Sequence, residues 1–285
     1  MLNLWEVFVD GIEIIKKNLS MKMDERRASE EKIAAIYSEL AYEMLDGLDN
    51  SNLTATLAEL SETVGELFEP LDAFSMASFA DRFVFRLSEM TGRKISLSDF
   101  FGRAGVRERV AYVKNRYNDI AYERLCPMLK NPTVGYFSDT DGVIASLAEG
   151  RADYALIPTA QGGVRIPSVY ETLDEHMLHI FAKYECEQTD GTMLEISLVS
   201  ESCPFSYSDG DTVGISFSFY PSPACDIGAV LTAMSRLGAS VGDVTSEDKR
   251  YFVGATATSG QAVKIITFMY LFTYGFNALG VFREI

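Results

Sequence analysis

From about residue 106 onward, short apolar strands alternate with helical stretches of about ten residues, and this rhythm constrains the fold more than any other feature of the chain. RVAYV, TVGYF, RADYALIP, LHIFAKY and TMLEISLV read as strands, while YNDIAYERLCPML, TDGVIASLAEG and PSVYETLDEHM read as helices. Strands that alternate with helices predict an α/β unit whose mainly parallel sheet is covered on both faces. Ligands of such sheets sit beyond the carboxyl ends of the strands. PTAQGG follows the strand ALI directly, so it is expected to be a ligand-holding loop.

The residues before this unit are helical in pattern. LTATLAELSETVGELF places Leu53, Leu57, Leu60, Val64 and Leu67 on one stripe, and EEKIAAIYSELAYEML does the same with Ile33, Ile36, Tyr37, Leu40 and Met44. The DGLDNSN cluster separates the two, Pro70 follows, and SFADRFVFRLSEM predicts a third helix ending at Gly92. Beyond the polar link SESCPFSYSDGD, the order strand, helix, strand, strand, helix, strand predicts a separate small split-βαβ unit. The expected organisation is an α+β / α/β chain with a helical head over 1–105, a central sheet over 106–205 and a ferredoxin-like βαββαβ tail over 206–285.

Charge narrows the partners. Forty-one acids against 25 bases give a net charge of −16, which repels nucleic acid and anionic lipid. No uncharged apolar run reaches the roughly 18 residues of a membrane span, and Glu6 and Asp10 interrupt the apolar start, so a signal peptide is disfavoured and a cytoplasmic protein is expected. Cys126, Cys186, Cys203 and Cys225 are far apart without CxxC spacing, as befits reduced, buried thiols. The only two histidines, His176 and His179, lack a flanking acid triad, and neither a metal nor another cofactor is expected.

The tail resembles an ACT domain, an amino-acid-sensing module, over roughly 211–285. IGAVLTAM is similar to the Gly-Ala-Leu helix start of that family, VTSED stands where it has Ile-Glu-Ser-Arg-Pro, and ALGVFRE resembles its Leu-Gly-x-Tyr-Pro ending. Thr245 and Glu247 replace the family's glutamate and arginine. The centre resembles the first lobe of prephenate dehydratase, carried by RVAYVKNRYNDIAYERL and by SLAEGRADYALIPTAQGGVRIPSVYETLDEHMLHIFAKYE. Thr159, Ala160 and Gln161 replace the family's polar loop after Pro158, and its Thr-Arg-Phe motif aligns with Thr192, Met193 and Leu194, so the threonine is retained and the carboxylate-binding arginine is not. The family's second lobe is missing before Thr192.

Each candidate residue carries a functional and a plain structural reading. Thr192 is a surviving general acid or an ordinary strand threonine. Thr159 and Gln161 bind a carboxylate or amino group, or they flank a turn whose Gly162 and Gly163 supply positive φ. Arg116 and Arg165 restore the carboxylate clamp or are solvated charges. Asp226, Ile227, Gly228 and Ala229, with Thr245 and Ser246, form the effector site that the ACT resemblance implies, or Asp226 is only an N-cap. Chorismate mutase is often fused ahead of prephenate dehydratase, but the head's IIKKNLSMKMDERR reads as a solvated helix face and no mutase activity is expected. Together these features predict a prephenate dehydratase-related protein that binds an aromatic amino acid or related carboxylate as a sensor, with reduced or no catalysis; a homodimer is implied by the ACT resemblance. The competing readings are an active prephenate dehydratase using Thr192 and a structural partner protein.

Overall fold

Apolar side chains at three- and four-residue spacing give the first hundred residues their helices: α1 (Leu4–Leu45), α2 (Leu53–Leu67), α3 (Ala73–Thr91) and the single turn α4 (Ser98–Phe101). They belong to a computed structural model that describes residues 4–46, 52–67, 72–103, 108–222 and 225–285. Most of the expected DGLDNSN turn, Pro70, the Leu67 side chain and the boundary expected at 105/106 lie outside the described residues. Asp72 caps α3 by accepting from Ser75 N–H, and Gly92 ends it in the left-handed region at φ 63°. Leu53, Leu57, Leu60 and Val64 are buried as their spacing requires. Ile33 and Ile36 depart from expectation and are exposed, because the buried stripe of α1 runs through Ser38, Ala41 and Leu45, with Tyr37, Leu40 and Met44 beside it.

The central region contributes β1 (Arg109–Val113), α5 (Arg116–Leu125), β2 (Thr133–Phe137), α6 (Thr140–Ala148), β3 (Tyr154–Gln161), β4 (Val164–Arg165), α7 (Pro167–Glu175), β5 (His179–Glu187) and β6 (Met193–Ser200). The tail adds β7 (Thr212–Tyr220), α8 (Ile227–Arg236), β8 (Ser240–Glu247), β9 (Arg250–Thr258), α9 (Ser259–Phe272) and β10 (Tyr274–Glu284), in the expected βαββαβ order. All main strands join one mixed sheet in the order β2-β1-β3-β6-β5-β10-β7-β9-β8, with β4 on the end of β3. The fold is therefore mixed α/β.

The sheet is not mainly parallel. β1 pairs in parallel with β2 and β3, and β5 with β10, while the other pairings are antiparallel. The reason is local: β5 and β6 are joined by a turn too short for a crossover, so β6 returns antiparallel and enters the sheet between β3 and β5. The tail also shares the central sheet, since β10 pairs with β5 across the boundary expected near 205.

Side-chain alternation divides the core. Val110, Tyr112, Tyr154 and Leu156 pack under α5, whereas Ala111, Ala155 and Ile157 pack with α6 and α7 on the other face. On the tail, Val213, Ile215, Phe217 and Phe219 of β7 meet α8 and α9, whose outer sides are covered by α2 and α3. Stacking of head on tail makes one continuous core, with Phe79 edge-on to both Tyr37 and Phe272. No described helix is long and apolar enough to cross a membrane.

The β5–β10 junction depends on a missing side chain. A Cβ on Gly280 would lie 2.8 Å from Ile180 N and Cβ and closer still to the Ile180 carbonyl oxygen, atoms that belong to a paired strand and cannot yield. Gly280→Ala is expected to destabilise the protein by about 1–3 kcal/mol, as overpacking does. Gly65→Ala, in α2 with nothing within 4 Å of the new methyl, is expected to stabilise by about 1 kcal/mol. Urea unfolding of the two variants checks both signs.

Candidate functional site

The sheet reverses its winding at β1. From β1 the chain passes through α5 to β2 on one side, and from β2 through α6 to β3 on the other, so the two helices begin at a common crevice beyond the ends of β1 and β3. The crevice encloses about 240 Å³ and its walls are Val113, Val143, Leu156, Ile157 and Pro158. Its polar lining comes from Asn115, Asn118, Asp139 and Thr140.

Local rules place these groups. Asn115 caps α5, its Oδ1 accepting from Tyr117 N–H at 3.0 Å and Asn118 N–H at 2.9 Å. Asn118 is only 2% exposed; its Nδ2 donates to the Val113 carbonyl at 2.8 Å, and its buried Oδ1 has no protein partner. A buried acceptor without a donor is costly unless a ligand or water meets it. Asp139 caps α6 through Gly142 N–H at 2.8 Å and also accepts from Ser138 Oγ at 2.7 Å. The Ser138 bond, and then the Gly142 bond, hold its carboxyl below the usual range. Two helix N-termini favour a carboxylate, while Asp139 and Asn118 Oδ1 offer acceptors for an ammonium. Apolar walls complete a lining suited to a free amino acid.

The four residues expected to bind the ligand, Thr159, Gln161, Arg116 and Arg165, lie elsewhere. PTAQ is strand rather than loop: β3 runs to Gln161 and turns back through Gly162 and Gly163, both at positive φ, into β4. Thr159 is fully buried on the α7 side, where its Oγ1 bonds Glu195 and Ser197 at 2.6 Å each; Glu195 in turn pairs with Lys183 at 3.1 Å. Exposed Gln161 donates to Gln188 at 3.0 Å. Arg165 pairs with Asp243 at 2.5 Å and lies over the rings of Tyr170 and Phe252, and Arg250 reciprocally pairs with Asp174 at 2.5 Å, so α7 and β4 are tied to the tail. Arg116 is exposed in the first turn of α5. Neither arginine lines the crevice.

Thr192 stands in the β5–β6 turn, with its N–H on Asp190 and its carbonyl accepting from Gln188 N–H. It does not line the crevice either. In the tail, Asp226 is the N-cap of α8, accepting from Ala229 N–H at 2.8 Å, with Ile227 and Gly228 in the first turn. Thr245 and Ser246 are exposed on β8, the outer strand. Asn115, Asn118 and Asp139 were missed by sequence reasoning, although an Asn or Asp between a strand and a helix is a cap signal. The burial of Asn118 had no such signal.

The thiols and histidines stand apart from the crevice lining. All four cysteines are free and buried, and burial pushes the thiols of Cys126 and Cys225 up to about 12. No group of described residues could hold a metal ion. His176 is an exposed C-cap, whereas His179 is tucked edge-on to Phe101 with Nδ1 on the Ala278 carbonyl at 2.6 Å.

No protein-family model and no curated protein matches the chain. Among solved structures it is similar to prephenate dehydratase from Streptococcus mutans, at TM-score 0.48 and 12% identity over 62% of this chain and 98% of that one. It is also similar to prephenate dehydratase from Arthrobacter aurescens in complex with L-Phe, at 0.46 and 11% over 61% and 89%. A third is GqqA, described as a novel type of quorum quenching acylase, at 0.45 and 14% over 61% and 94%. Each TM-score is too low to carry activity or ligand to this chain.

Burial holds the His179 pKa below its ordinary value. The unfolded chain then binds the proton first, so the contribution of this residue is present above the unfolded value of about 6.5 and is lost as pH falls toward the folded one. Stability is expected to decline below about pH 6.5, and chemical denaturation across pH 5–8 should show His179→Asn with a shallower decline.

Proposed function

We propose that the protein is a non-catalytic or catalytically reduced relative of prephenate dehydratase that binds an aromatic amino acid or a related carboxylate in the α5–α6 crevice and acts as a sensor. The observation that carries this reading is the buried, unpartnered Asn118 Oδ1 beside the Asp139 carboxylate at two helix N-termini. Ammonium on the acceptors, carboxylate on the helix ends and side chain on the apolar walls use every kind of surface the crevice offers. Motif resemblance in the centre of the chain supports the family.

Reduced catalysis follows from what surrounds the crevice. Decarboxylation with loss of water needs both carboxylates held while a proton reaches the leaving hydroxyl. Met193 stands where the family has its arginine, Arg165 is committed to Asp243, and Thr192 lies in a turn outside the crevice, where the Asp190 carboxylate accepts from its backbone N–H. The tail's effector site, Asp226 to Ala229 with Thr245 and Ser246, would bind an amino-acid effector near the interface with a second copy of the chain. β8 supports that pairing because its outer edge carries no strand and most of its residues are exposed.

Titration calorimetry with phenylalanine, tyrosine, tryptophan and prephenate tests the proposal. Binding without phenylpyruvate is expected. Asp139→Asn keeps the cap but removes the charge, and Asn118→Ala removes the acceptor, so each should weaken binding about tenfold, the size of one charge-assisted hydrogen bond. Phenylpyruvate formation abolished in Thr192→Ala would establish the enzyme reading, and no binding of any of the four would favour a structural partner. Light scattering is expected to give a dimer.

A further inference from the structure

A groove of about 510 Å³ lies far along the chain from the crevice, between α1 and α3 of the head and α8 and α9 of the tail. Four basic side chains reach it in a chain that has 41 acids to 25 bases: Arg27, Arg82, Arg236 and Lys264. Three acids also line it, but each already has a partner. Glu30 pairs with Arg26 at 2.9 Å, Glu31 with Arg27 at 3.5 Å and Asp81 with Lys264 at 2.5 Å. Arg82 and Arg236 are left without an acid partner among the described residues.

Arg236 is oriented by its surroundings. Its guanidinium lies 4.1 Å from the centre of the Phe74 ring, a stacking that fixes the plane and leaves the N–H edges for an acceptor. Arg82 enters the same groove from α3. Ile33, an apolar residue of α1 that does not face the core and is 41% exposed, lines the groove with Ala34. Two arginines without acid partners in a groove that also holds an apolar wall and a ring match an anion that has an apolar body.

We propose that this groove binds a small organic anion, a carboxylate or phosphate on an apolar body, clamped by Arg82 and Arg236. The site is independent of the α5–α6 crevice. Because its walls come from both head and tail, an occupant bridges α1–α3 to α8–α9.

Phenyl phosphate and phenylacetate, with phenol as the neutral control, are the probes, titrated into the full chain by calorimetry. At least one anion is expected to bind more than tenfold more tightly than phenol, and the preferred one identifies the acidic group. Arg82→Gln and Arg236→Gln should each weaken it about tenfold and the double variant should abolish it, with the thermal midpoint unchanged. Asn118→Ala, which alters the crevice alone, should leave it unaffected. An anion no tighter than phenol would overturn the proposal, as would wild-type affinity in the double arginine variant or loss of binding in Asn118→Ala.

Discussion

The parallel pairing of β5 with β10 is the contact on which the rest of the structure depends. It joins a central α/β unit to a βαββαβ tail through backbone hydrogen bonds, and the close approach at Gly280 leaves no room for a side chain. Without it the sheet would divide into two units with exposed edges, which expose unpaired backbone groups. With it, β7 and β9 are held under α8 and α9, while on the other face β10 and β9 meet α7 and β4. The reciprocal pairs Arg165–Asp243 and Arg250–Asp174 then lock that face.

Head and tail form the second level of organisation. The head does not build a core of its own; α2 and α3 lie on α8 and α9, and the buried phenylalanines of both regions pack together. This explains why a stripe of apolar residues in α3 is served by residues almost two hundred positions away, such as Phe272 beside Phe79. It also creates the arginine-lined groove at the seam, where four helices, α1, α3, α8 and α9, leave polar side chains between them.

The crevice shows how few residues a site requires once topology has placed it. Winding direction brings two helix starts together, and ordinary capping by Asn115 and Asp139 fixes where each begins. The crevice's buried acceptor without a protein partner belongs to Asn118, one turn into α5, where burial removes its amide from water. Residues that a motif would favour serve the framework instead: Thr159 sits in a buried polar network, and Arg165 neutralises an aspartate of the tail.

The sequence alone determined the periodic and local features. Period-two and period-3.6 patterns identified most strands and helices, Gly92 ended its helix, Gly162 and Gly163 made a turn, and the dispersed cysteines proved to be free and buried. These follow from backbone geometry and burial within a few residues. Strand direction, the sharing of one sheet by centre and tail, the exposure of Ile33 and Ile36 and the burial of Asn118 were decided only in three dimensions. Each depends on which distant segment arrives alongside, and a side chain's periodicity records that it has a buried face without recording which partner covers it.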